Sequence, residues 1–89
     1  MKVMEEFFTL PSMPQVQSYA IAVTPMANGF LLNPVDFEDM SIEANDLQYG
    51  IQCLQTAIAQ KLATMYPPTP TPVNEILLQQ GEFVVIVNL

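Results

Sequence analysis

Leu47, Ile51, Leu54, Ile58, Leu62 and Met65 recur at spacings of four, three, four, four and three residues. That rhythm is the period of an α-helix with one apolar stripe, and it predicts a helix over residues 45–66. Ala44, Cys53, Ala57 and the aliphatic stem of Lys61 widen the stripe. The other face is unusual. Tyr49, Gln52, Gln55, Thr56, Ala59, Gln60, Ala63 and Thr64 carry no charge between them. A solvated helix face normally bears Lys and Glu. One face is therefore expected in a core and the second against a protein partner, with Tyr49, Gln52, Gln55, Thr56, Ala59, Gln60 and Ala63 as the candidate interface.

The ends of this helix have readable signals. Asn45, with Gln48 three residues on, resembles a capping box, and Ser41 would start the helix a turn earlier. Counted from Ser41 to Met65, such a helix is about 37 Å long at ~1.5 Å per residue. It would cross or project from a domain whose radius of gyration is only ~12 Å. Gly50 inside it costs ~1 kcal/mol relative to Ala and suits a close approach of another element. Pro67, Pro68, Pro70 and Pro72 stop the helix. Residues 67–72 read as a stiff polyproline II-like spacer. A groove-binding PxxP ligand is the weaker reading, because no Lys or Arg flanks the run.

Before the helix, residues 1–10 fit neither the helical nor the strand period cleanly. Pro11 and Pro14 then make residues 11–16 an extended arm. Residues 17–24 alternate, with Tyr19, Ile21 and Val23 on one side and the small Ala20, Ala22 and Thr24 on the other. The small side is expected to receive the helix. Asn28-Gly29 marks a turn, which predicts a hairpin over residues 17–32 with a loop of about five residues. Asn33-Pro34 ends it.

After the proline run, Thr71-Pro72 and Gly81 bracket a short helix over 72–80 as cap, first turn and stop. Ile76-Leu77-Leu78 as a strand is the competing reading. Residues 83–87, FVVIV, form the strongest strand. Being apolar on both sides, they are expected at the centre of a sheet or covered on both faces, with no tail beyond Leu89.

The expected architecture is one small α+β domain over residues 1–89. Its antiparallel sheet comprises the hairpin and the C-terminal strand, packed against one long amphipathic helix. A chain of 89 residues buries only about 60–65% of its unfolded surface.

Composition excludes several functions. Two Lys and no Arg cannot neutralise a run of phosphates or an anionic bilayer, so neither nucleic acid nor membrane is expected as a partner. The absence of His removes the commonest general base and metal ligand, and it leaves Cys53 without a catalytic partner. Cys53 reads as a small buried hydrophobe. Gly29, Gly50 and Gly81 are too scattered for a phosphate-binding loop. Asp36, Glu38 and Asp39 lack the spacing of a calcium loop and read as a solvated acidic turn. No enzyme activity, cofactor or metal is expected.

Charged residues make up 12% of the chain and hydrophobic residues 51%, which leaves a surface that assembly would bury. The expected function is a structural or assembly protein, acting as a homo-oligomer or as a component of a multi-subunit particle such as a virion. No signal peptide is legible, so a cytoplasmic or intracellular setting is expected. The net charge of −7 supports an alternative, an acidic inhibitor or adaptor docking on a basic protein through Asp36, Glu38, Asp39, Glu43 and Asp46.

Overall fold

The computed structural model describes residues 18–89. The readings of residues 1–10 and of the 11–16 arm lie outside the described residues, as does the first residue of the expected hairpin.

The described chain is an α+β fold, one antiparallel sheet packed on one helix. Strands β1 (Ser18–Met26) and β2 (Gly29–Pro34) form the hairpin, followed by β3 (Ile42–Ala44), helix α1 (Leu47–Leu62) and β4 (Phe83–Asn88). The sheet order is β3-β2-β1-β4, with every neighbouring pair antiparallel. Among the described residues, no helix is long and apolar enough to cross a membrane.

The hairpin is tighter than its sequence suggests. Pro25 pairs with Phe30 and Met26 with Gly29, so the turn is Ala27-Asn28 alone rather than about five residues. Pro25 is tolerated because β1 has by then run past β4, whose pairing stops at Val23 opposite Phe83. Gly29 has φ 154°, and a Cβ there would collide with the Ala44 carbonyl oxygen. The same glycine thus permits the turn and seats β3 beside it. β2 continues through Pro34, two residues past the expected end.

The core lies between the sheet and α1. Tyr19, Ile21 and Val23 point into it from β1, Leu32 from β2, Val87 from β4, and Leu54 and Ile58 from the helix. Burying side chains of this size contributes ~1.5–3 kcal/mol each. The helix therefore packs on the large side chains of β1, not on the small face expected to receive it. The large face offers more apolar area. The small face, with Ala22 and Thr24, instead lines a groove shared with Thr71, Ile76 and Leu77. Phe37 completes the core, its ring edge-on to Tyr19 at 5.0 Å between centroids and 75° between planes.

α1 is shorter than 45–66. Residues 42–44 are a strand, so no turn starts at Ser41. The cap is Asp46, whose side chain accepts a hydrogen bond from the Tyr49 N–H at 3.0 Å. The helix has 16 residues, about 24 Å, and ends at Leu62 with Ala63 as its cap. Pro67 disfavours a helical Tyr66, and the helix closes with tighter bonds from the Ala63 N–H to the Gln60 carbonyl at 3.2 Å and the Thr64 N–H to the Lys61 carbonyl at 3.0 Å. Gly50 is buried against β3 and β2.

From Pro67 the chain wraps the sheet as a strap. The Tyr19 hydroxyl donates to the Pro68 carbonyl at 2.9 Å. Asp36 then clamps Thr71, accepting from its N–H at 3.1 Å and its hydroxyl at 2.6 Å. The expected helix over 72–80 is absent: Pro72 is extended and only Val73–Glu75 form a single 3₁₀ turn. The competing strand at 76–78 is absent too. Isolated short helices are marginal without packing, and Leu77 is 95% exposed. Gly81, with φ 88°, turns the strap into β4.

β4 contradicts its expected central position. Among the described residues it pairs with β1 alone and lies at the edge of the sheet. The hairpin occupies one side of β1 and β4 the other, while β3 closes on β2. The helix-side residue Val87 is buried, but Phe83 is 38% exposed and Ile86, on the opposite face, 46%.

Candidate functional site

The uncharged face of α1 is divided by the fold. Tyr49, Gln52, Thr56 and Gln60 gather around a shallow depression of about 450 Å³, with Cys53 and Ala57 between them. Tyr49 is 65% exposed. Ala59 and Ala63 are exposed beyond this depression. Gln55 turns away, and its Nε2 reaches the Asn88 carbonyl at 3.5 Å. It joins Leu47, Ile51, Gln52 and Val85 around a groove of about 540 Å³ between the helix and β4. The seven residues expected as one interface thus lie along the solvent face and its β4-side border.

Cys53 corrects an expectation, since its thiol is exposed rather than buried. The apolar stripe passes through Leu54 instead, one residue round the helix. The hydrogen bond and charge of Cys53, one turn on, raise the Tyr49 phenol above its ordinary range, with a small desolvation contribution.

The five acids of the 36–46 segment do not form one patch. Asp36 is engaged with Thr71, Asp46 caps α1, and Asp39 pairs with Lys61 at 2.9 Å. The hydrogen bond from Lys61, then one from the backbone and the lysine's charge, hold the Asp39 carboxyl below its usual range. Glu38 and Glu43 are exposed on opposite grooves. Glu82 accepts from the Gln79 N–H at 2.9 Å and the Thr24 hydroxyl at 2.7 Å. Those bonds, the backbone one first, lower its pKa. Among the described residues, no group of three or more His, Cys, Asp or Glu could hold a metal ion.

Two surfaces escape the sequence reading. A groove of about 960 Å³ runs between the hairpin turn, β3 and the start of α1, lined by Met26, Phe30, Ile42, Ala44, Tyr49 and Cys53 among others. The strand that forms one wall of it, β3, is three residues long and leaves no periodic signal in the sequence. The second surface is the outer edge of β4. Phe83 to Leu89 carry no charged side chain, and Leu77 and Leu78 are exposed on the strap leading to it. Such an edge offers main-chain hydrogen bonds and apolar contact.

No protein-family model, curated protein or solved structure matches this chain.

Proposed function

We propose that the protein is a non-enzymatic structural component that works through protein–protein contact, associating with copies of itself or seated in a larger particle, of which a virion is one setting. The observation that carries this reading is the position of the most apolar strand of the chain. Among the described residues β4 sits at a sheet edge with Phe83 and Ile86 exposed and without the Lys, Pro or bulge that natural edges use against pairing. Burial in an assembly gives that edge a partner. The uncharged depression around Tyr49 and Gln60 supplies a second contact face. Docking on a basic protein through the 36–46 acids is less well supported, because Asp36, Asp39 and Asp46 are already engaged within the fold.

Light scattering after size exclusion, at low and high salt, tests the reading. A mass above 9.9 kDa that salt leaves unchanged is the expected result. Apolar and main-chain contacts are not screened, whereas docking through carboxylates is. A monomer in both conditions that also fails to join any particle overturns it.

A further inference from the structure

Resting on that reading, we infer that the occupant of the β4 edge is a second copy of the chain, joined antiparallel across a two-fold axis at Val85. Side chains directly opposite in an antiparallel pair share a face. A two-fold axis normal to the sheet therefore has to pass through one residue rather than between two. Centred on Val85, Phe83 meets Val87 of the second copy, Val84 meets Ile86, and Val85 meets itself. Every contact of the FVVIV run is apolar against apolar. Glu82 falls opposite Asn88, so no carboxylate faces another. Centring on Ile86 instead sets Val84 against Asn88 and leaves Phe83 against Leu89.

Charge favours the same occupant. The chain carries −7, which repels a second copy wherever carboxylates would be opposed. Residues 83–89 carry no charged side chain, so two copies can meet there without like charges opposed, and they give a basic partner nothing to pair with. The helix side agrees. Val85 lines the groove that also holds Leu47, Ile51, Gln52 and Gln55. With Val85 on the axis, the two grooves face each other and join into one. The sheet becomes continuous through both copies, with the two helices on the same side. The exposed parts of Phe83 and Ile86 are covered together.

The test is the absolute mass of the full chain and two variants. The wild type is expected at about twice 9.9 kDa. Ile86→Lys alters an outward residue and is expected to return the mass to that of a monomer with the circular dichroism spectrum unchanged. Adding Val84→Glu is expected to restore the dimer, because each new carboxylate lies opposite the new ammonium of the other copy. In parallel, amide exchange of wild-type β4 is expected to slow as concentration rises, a readout that needs no variant to fold. A monomeric wild type overturns both this pairing and self-association. An oligomer that Ile86→Lys leaves intact, or β4 exchange that ignores concentration, overturns the pairing alone and leaves the assembly reading standing.

Discussion

Gly50, by having no side chain, lets the helix close onto the Ala44 methyl of β3. A Cβ added at Gly50 would lie 2.8 Å from the Ala44 Cβ and 3.3 Å from Leu32 Cδ2. The Ala44 Cβ is fixed to the backbone of β3 and cannot swing away. Inside a helix, Ala is ordinarily favoured over Gly by ~1 kcal/mol. Overpacking costs ~1–3 kcal/mol and outweighs that here.

Gly50→Ala is therefore expected to destabilise the fold by about 1 kcal/mol, lowering Tm by about 4–8 °C in a domain of this size. Combining it with Ala44→Gly removes the opposing methyl and is expected to recover most of the loss. A thermal melt of the single and double variants checks both. A Gly50→Ala protein more stable than wild type would contradict the close approach.

The start of α1 separates two neighbouring residues that look alike in sequence. Asp46 accepts the Tyr49 N–H at 3.0 Å and is the cap. Asp46→Ala is expected to cost ~1 kcal/mol, within the ~0.5–2 kcal/mol range for lost caps. Asn45→Ala is expected to cost much less, since Asn45 precedes the cap. Urea unfolding of the two variants side by side gives the comparison, and equal losses would place the cap wrongly.

Periodic features were legible in the sequence, and features set by pairing were not. The stripe through Leu54 and Ile58 and the alternation of Tyr19, Ile21 and Val23 each repeat several times, so one exception does not hide them. Phe37 was invisible because it is a single apolar residue among Asp36, Glu38 and Asp39, and only the arrival of Tyr19 makes its site a core. β3 has three residues, too few to show a period. The apolar run of β4 reads as central because burial is what such a run usually signals. Its edge position follows from long-range pairing, with β1 on one side and no described strand on the other, and no local pattern records that. Within the candidate interface, Tyr49, Gln52, Thr56 and Gln60 share a face as their spacing implies. Gln55, one residue before Thr56, lies about 100° round the helix on the β4 side, where its Nε2 reaches the Asn88 carbonyl.

The strap depends on Asp36. Its carboxylate holds the Thr71 N–H and hydroxyl at 3.1 and 2.6 Å, near the end of the proline segment whose start is tied to Tyr19 at Pro68. Asp36→Ala leaves both donors without that partner and is expected to cost ~1–3 kcal/mol. The effect should be local first. Limited proteolysis is expected to cut within residues 67–80 faster in the variant than in wild type, while amides of α1 keep their protection. Unchanged cleavage would mean that the strap is held elsewhere.

Tyr19 links the strap to the core and makes stability depend on alkaline pH. Burial, and then the negative charge of Asp36, hold its phenol above the ordinary range. The native state thus keeps this proton more tightly than the unfolded chain, where the value is about 10. The stability from this group is fully present below about pH 10 and is lost as pH rises through the native value. Tyr19→Phe also gives up the hydrogen bond to Pro68, at a cost of ~0.5–1.5 kcal/mol near neutrality. The variant is accordingly expected to be less stable than wild type at pH 7 and to lose less as the solution is made alkaline. The two stability curves converge above pH 10. Urea melts across that range measure the convergence. Parallel curves would show that Tyr19 keeps an ordinary pKa and that Asp36 is too distant to act on it.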